Sequence, residues 1–174
     1  MSRRRKASSK ADVYTLIEAA VTSESAARSL LRDHPALAEA RTPDMQESAL
    51  HYLAIENDCA AARILLDLGL AVDARDASEA TPLLYAAKLN YPEMSALLLR
   101  YGADPNIRDD LDETPLHKAS QHGALEVIKL LLVSGADPTA STDLGKTPRD
   151  LALPRKRSEI EALLDASAPR ADDA

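Results

Sequence analysis

The segment Thr-Pro-Leu-His-Lys-Ala at residues 114–119 occurs in related form at three other places in this chain of 174 residues. Residues 81–86 read Thr-Pro-Leu-Leu-Tyr-Ala, residues 147–152 read Thr-Pro-Arg-Asp-Leu-Ala, and residues 48–53 read Ser-Ala-Leu-His-Tyr-Leu. The four copies are equally spaced, with starts at positions 48, 81, 114 and 147. One further step back reaches Thr15, where the Thr and a later Ala remain but the Pro and His are absent. A fixed period of this kind is typical of a repeat architecture.

A second pattern has the same period. Three leucine-rich triplets, at positions 64–66, 97–99 and 130–132, are separated by the same interval, and each is followed by a glycine, namely Gly69, Gly102 and Gly135. Two independent patterns in one register indicate tandem units of the same kind, each stabilised by stacking on its neighbours.

The residue types within one unit predict two helices. Thr followed by Pro favours a helix start, because the Thr hydroxyl accepts a hydrogen bond from an unpaired backbone N–H and Pro has no N–H to satisfy. In the unit whose motif starts at Thr114, Leu116 and Ala119 then fall on one face of the first helix. Residues 125–132 give the second helix its apolar side, and Gly135 can end it in the left-handed conformation.

These motifs resemble the ankyrin repeat, whose period is about 33 residues and whose hallmark is Thr-Pro-Leu-His-x-Ala. The resemblance covers about residues 12–166 and implies an all-α solenoid of about five helix-turn-helix repeats joined by hairpin-like turns. It also implies that a protein partner binds the concave face formed by these turns and the first helices. We expect two atypical capping repeats around three regular ones, with bounds at 12–43, 44–75, 76–108, 109–141 and 142–166.

Composition and charge agree with packed helices. Apolar residues make up 45% of the chain, with 32 Ala and neither Phe nor Trp. A single Cys excludes a disulfide framework and favours a reducing, cytoplasmic compartment, and the apolar runs are too short to cross a bilayer. Residues 1–10 carry a charge of +5 while the remainder carries −12, so the body disfavours nucleic acid and favours basic partners. We expect a disordered basic head at residues 1–11 and a disordered tail at residues 167–174.

The sequence contains none of the usual catalytic or ligand-binding motifs. His51 and His117 share one repeat position, where the resemblance implies an imidazole that hydrogen-bonds a neighbouring repeat. No paired His, phosphate-binding loop or metal-ligand spacing is present, so we expect no enzyme activity, cofactor, metal site or small-molecule substrate. Cys59 stands at a predicted helix start, which can lower a thiol pKa, and a reactive Cys59 is kept as an alternative.

The turns that precede each helix pair are rich in acids; we call them tips. They cover residues 44–47, 76–80, 109–113 and 143–146 and contain nine acids and one base. Gln46, Glu79 and Asp112 replace the glycine usual at the tip, which places an ordinary residue in a strained left-handed position. Acids also favour turns and solubility, so the acidity alone does not establish a binding site.

Apolar and aromatic side chains accompany the acids, and charge steers a partner while buried apolar groups hold it. Tyrosines around the third repeat place the expected centre of the contact there. The candidate partner-binding residues are Asp44, Met45, Glu47, Glu79, Tyr85, Lys88, Leu89, Tyr91, Tyr101, Asp109, Asp110, Leu111, Asp112, Glu113, Gln121, His122, Asp143 and Leu144.

We therefore expect a monomeric adaptor, scaffold or stoichiometric inhibitor that binds a basic protein, with Asp109, Asp110, Asp112 and Glu113 steering association. The alternative is an accessory protein whose basic head contacts nucleic acid or an anionic surface while the repeats bind another protein.

Overall fold

Nine α-helices are found in residues 12–167, the part of the chain that this computed structural model describes. The predictions for the basic head and for the tail beyond residue 167 lie outside the described residues. The helices are α1 (Val13–Thr22), α2 (Glu24–Asp33), α3 (Ala49–Ile55), α4 (Cys59–Asp67), α5 (Pro82–Lys88), α6 (Pro92–Arg100), α7 (Pro115–His122), α8 (Leu125–Val133) and α9 (Arg157–Ser167). Short 3₁₀ helices cover Pro35–Glu39 and Pro154–Lys156.

The helices form two layers. Helices α1, α3, α5 and α7 pack side by side as the inner layer, and α2, α4, α6, α8 and α9 form the outer layer. The same repeat position supplies Leu50, Leu83 and Leu116 to the space between the layers, where each is almost fully buried. Burying one such side chain contributes about 1.5–3 kcal/mol. The leucine period therefore becomes a continuous core that each repeat completes for its neighbour.

The helix starts in the middle repeats follow the Thr-Pro prediction. Thr81 Oγ1 accepts from the backbone N–H of Leu84 at 3.3 Å, and Thr114 Oγ1 accepts from that of His117 at 3.4 Å. Pro82 and Pro115 occupy the first helical positions. These local interactions fix the register in which each inner helix meets the next.

The two terminal repeats depart from the regular pattern. Asp12 caps α1 and accepts from the Thr15 N–H at 3.0 Å. The first helix therefore begins at Val13, before Thr15, although the repeat period aligns Thr15 with the Thr residues that precede the later inner helices. The last repeat was expected to contain a helix pair, but residues 148–151 form a single turn instead of an α-helix. Pro154 explains this correction, because a proline disfavours helical backbone in the residue before it and cannot continue the hydrogen-bond ladder.

The tips have the left-handed backbone that the sequence predicts. Gln46, Glu79 and Asp112 have φ of 55°, 59° and 56°, and Gly145 has φ of 69°. Two of the three non-glycine residues gain a compensating contact there. The Gln46 amide donates to the Thr42 carbonyl at 3.2 Å, and Glu79 pairs with Arg75 at 2.7 Å.

Candidate protein-binding surface

The tips and the inner helices together line two open grooves on the same side of the molecule. The Leu111–Leu144 groove, of about 280 Å³, lies between the tips of the fourth and fifth repeats. The Tyr85–Leu111 groove, of about 190 Å³, lies between the tips of the third and fourth repeats. Leu111 belongs to both grooves and forms the ridge that separates them.

The tip of the third repeat is organised by one buried carboxylate. Asp76 Oδ1 accepts from the backbone N–H groups of Ser78 and Ala80 at 2.8 and 3.0 Å. Its Oδ2 accepts from the Tyr85 hydroxyl at 2.7 Å. Burial, followed by this hydrogen bond and the negative charge of Asp76, raises the pKa of Tyr85. The half-buried Tyr85 therefore holds the tip against α5 through its hydrogen bond to Asp76.

The tip of the fourth repeat contains a buried ion network. Asp109 Oδ1 accepts from the N–H groups of Leu111 and Glu113 at 3.1 and 2.9 Å, while its Oδ2 lies 3.0 Å from Lys118 Nζ. Lys118 also pairs with Glu113. Burial lowers the pKa of Lys118, but the hydrogen bonds and charges of Glu113 and Asp109 outweigh it and raise that pKa above its ordinary value.

This network corrects the expectation that Asp109 and Glu113 are exposed steering charges. Both side chains are buried, and both already have a cationic partner in Lys118. Long-range steering needs charge that faces solvent, so these two acids act within the protein.

Four tip acids are open to solvent and have no ion pair in the described part of the chain. Asp44, Asp110, Asp112 and Asp143 are exposed, and within residues 12–167 none of them forms an ion pair. Glu79 is also exposed but pairs with Arg75. Glu47 is partly buried, and that burial together with the charge of Asp76 raises its pKa.

An apolar residue follows three of these acids in the chain. Met45, Leu111 and Leu144 are 44%, 52% and 79% exposed, which is unusual for large apolar side chains and makes them available for contact. The third repeat interrupts this pattern with Ala77 and Ser78. The backbone N–H of Asp110 donates to the Ser78 carbonyl at 2.9 Å and joins the two tips.

The remaining candidates separate into two groups. Lys88, Leu89, Gln121 and His122 are exposed at the ends of the inner helices, and Lys88 and Gln121 line the grooves. Tyr91 and Tyr101 lie elsewhere. Tyr91 packs partly buried at the start of α6, and the Tyr101 hydroxyl donates to Asp67 at the end of α4. Neither tyrosine lines the two grooves, so the structure does not bring the predicted residues into one patch.

Sequence reasoning named Tyr85 but missed the column of residues to which it belongs. One position in four successive repeats is occupied by Tyr52, Tyr85 and Lys118, on inner helices, and by Leu151, in the single turn of the last repeat. The last three of these residues line the grooves. At the first of these positions, the exposed rings of Tyr52 and Tyr14 form an edge-to-face pair with centroids 6.3 Å apart. Comparing, in each repeat, the residue that follows the His position would have revealed this column.

The two repeat-position histidines join adjacent repeats, as predicted. The imidazole Nε2–H groups of His51 and His117 donate to the carbonyls of Ala80 and Lys146, each at 3.0 Å. Nδ1 accepts from the backbone N–H of Ser48 or Thr114 at 3.1 Å, which fixes the tautomer. Burial lowers the pKa of both imidazoles. Each histidine thus fastens the tip of the repeat that follows it.

The structure gives little support to the reactive-cysteine alternative. Burial, together with the nearby charges of Glu93 and Asp58, raises the pKa of the Cys59 thiol, whereas an activated thiol needs a lowered pKa. Within the described residues, no three His, Cys, Asp or Glu side chains are placed to hold a metal ion. The longest described helix has 11 residues, and none of the described helices has the length and apolarity to cross a bilayer.

Comparison with known proteins agrees with this architecture. A family model described as ankyrin repeats in three copies matches residues 15–109, 50–142 and 97–170 in overlapping windows. No curated protein matches the chain significantly. Ankyrin repeats generally mediate protein–protein interaction. The matches extend over most of the chain, so the chain belongs to the ankyrin repeat family.

Proposed function

We propose that this protein is a non-enzymatic, monomeric binding module that holds a basic protein on the face formed by its tips and inner helices. In this role it acts in the cytoplasm as an adaptor, scaffold or stoichiometric inhibitor. The observation that supports the basic partner is the row of solvent-exposed acids Asp44, Asp110, Asp112 and Asp143, none of which forms an ion pair with any other residue between 12 and 167. The buried acids already have their own partners, so these four carry the charge that a partner meets.

The proposed centre of the contact differs from the third repeat, which was the centre expected from the sequence. The buried network around Lys118 removes Asp109 and Glu113 from the contact, and the third-repeat tyrosines Tyr91 and Tyr101 lie away from the grooves. The exposed acids and leucines concentrate on the fourth and fifth repeats. We therefore place the centre of the contact at the fourth tip.

The test is capture of proteins from a native lysate at low and at high salt. The wild type is compared with a variant carrying Asp44→Lys, Asp110→Lys and Asp143→Lys. A matched control carries Glu93→Lys, Glu126→Lys and Glu159→Lys on the outer helices, which gives the same net charge. We expect a basic protein to be captured at low salt by the wild type and the control and to be lost from the tip variant.

Two results contradict the proposal. If the same proteins are captured at both salt concentrations and by the tip variant, the tip acids serve solubility. Equal loss in both reversal variants means that net charge matters and the tips do not. A variant that begins at residue 12 tests the alternative function, because only an accessory protein that uses its basic head loses binding to anionic surfaces on that truncation.

A further inference from the structure

The Leu111–Leu144 groove differs from the rest of this face in having mainly apolar walls. Leu111, Leu144 and Leu151 supply its large apolar side chains, and the lining is completed by Glu113, Gln121, Thr142, Asp143 and Lys146. Leu144 and Leu111 keep 79% and 52% of their surface exposed. Covering exposed apolar side chains of this kind removes apolar surface from water, which favours the binding of a partner.

The charge around the groove indicates what the partner carries next to its apolar group. Asp143 lines the groove itself, and Asp110 lines the neighbouring groove on the other side of the Leu111 ridge. Neither forms an ion pair within residues 12–167. Lys146 is a base in the same lining, and Glu113, which also lines the groove, is paired with Lys118. The acids that a basic side chain of a partner can reach are therefore Asp143 in the groove and Asp110 beyond the ridge.

We propose that this groove takes one large apolar side chain of an extended partner segment, with Arg or Lys two positions away. In an extended segment, side chains two residues apart point to the same side. The apolar side chain then fills the groove between Leu111, Leu144 and Leu151, while the basic side chain reaches Asp143 or, across the ridge, Asp110. This inference rests on the proposed function and names the partner chemistry at its centre.

The fourth and fifth tips provide a paired arrangement that the other tips lack. Asp110-Leu111 and Asp143-Leu144 are adjacent copies of one acid–apolar dipeptide, and Leu151 completes the wall between them. Met45 follows Asp44 in the same way, but the neighbouring tip has Ala77 and Ser78 instead. Val133, at the end of α8, is 90% exposed and lines neither groove, so it offers an exposed apolar control away from the proposed contact.

The experiment selects a phage-displayed library of random 12-residue peptides on the full-length protein. We expect enriched peptides to share a large apolar residue with Arg or Lys two positions from it. Affinities of the enriched synthetic peptides are then measured for the wild type, for Leu144→Ser, for Asp110→Asn/Asp143→Asn and for the control Val133→Ser. Leu144→Ser should weaken binding roughly tenfold or more, and Val133→Ser should not change it. All substituted side chains are exposed, and the urea unfolding midpoint of each variant checks the fold.

A double-mutant cycle distinguishes the filling of the groove by the apolar side chain of the peptide from a general loss of binding affinity. Replacing the apolar residue of the peptide by Ala should cost affinity in the wild type and almost nothing in Leu144→Ser. Peptides that respond to the two Asn substitutions but not to Leu144→Ser overturn this inference and leave the proposed function intact. If neither Leu144→Ser nor the two Asn substitutions weaken peptide binding, both this inference and the proposed function are wrong. A selection that enriches no sequence also overturns the inference, because an extended segment is its stated occupant.

Discussion

The tips of the third and fourth repeats have the same backbone turn but different side-chain partners. An Asp at the same position accepts two backbone N–H groups in each tip: Asp76 in the third repeat and Asp109 in the fourth. The remaining carboxylate oxygen meets the neutral Tyr85 hydroxyl in the third repeat and the Lys118 ammonium in the fourth. The fourth tip also buries Glu113, where the third has Ala80.

A second difference lies in how the preceding repeat holds each tip. His51 donates to the Ala80 carbonyl of the third tip, but Leu84 stands at the corresponding position before the fourth tip and cannot donate. The fourth tip therefore depends more on its own ion network. The comparison teaches that equally acidic tips differ in available charge, because an acid that completes a turn is not free to meet a partner.

The largest expected effect comes from removing the cation of the fourth tip. Lys118→Met leaves Asp109 and Glu113 buried beside each other without a counter-charge, which should lower the free energy of unfolding by about 3 kcal/mol. Tyr85→Phe removes one hydrogen bond from the third tip and should cost about 1 kcal/mol. Urea unfolding at pH 7.5 measures both, with Lys129→Met, an exposed lysine, as control. Equal losses in the two tips would show that the network contributes no more than a neutral hydrogen bond.

The histidine contact predicts a pH dependence of intermediate size. Burial lowers the pKa values of His51 and His117 in the folded state, so the unfolded chain binds more protons once the pH falls below the ordinary value of about 6.5. Stability is therefore complete above that pH and decreases as the pH falls, by up to about 1.4 kcal/mol per pH unit for each imidazole.

His51→Leu copies the third-repeat residue Leu84 and should cost about 2 kcal/mol at pH 7.5, because it leaves the buried Ser48 polar groups unpaired. It should also make the decline toward pH 5.5 shallower. The unfolding midpoint across this pH range measures both effects, with the exposed His34→Gln as control. An unchanged pH dependence would mean that His51 does not resist protonation in the folded state.

The smallest effect is expected when the fourth tip is rebuilt as a copy of the third. Lys118→Tyr with Glu113→Ala recreates the Asp–Tyr contact and removes the stranded carboxylate, so stability should stay within about 1 kcal/mol of the wild type. Lys118→Tyr alone should be clearly less stable, since Glu113 then lacks its cation. A double variant as unstable as Lys118→Met would show that the fourth tip needs its charges for more than mutual neutralisation.

The sequence predicted the repeat period, the helix pairs and the Thr-Pro helix starts, because each depends on neighbouring residues or on a fixed spacing along the chain. The hydrogen bonds that the histidines make between repeats were implied by the resemblance to the ankyrin family. The sequence was wrong about the helix pair in the last repeat, where Pro154 follows too closely for the first helix to form. It also included Tyr91 and Tyr101 among the candidate partner-binding residues, although neither lines the two grooves.

For the proposed binding face, the sequence by itself determined which residues are at the tips and that half of them are acidic. Only the tertiary structure decided which acids remain free, because Asp109, Glu113 and Lys118 become one buried network when the tip folds back onto α7. It likewise brought Leu151 between Leu111 and Leu144 to form a groove. Periodicity follows from local chemistry along the chain, whereas burial and charge pairing depend on which side chains meet across it.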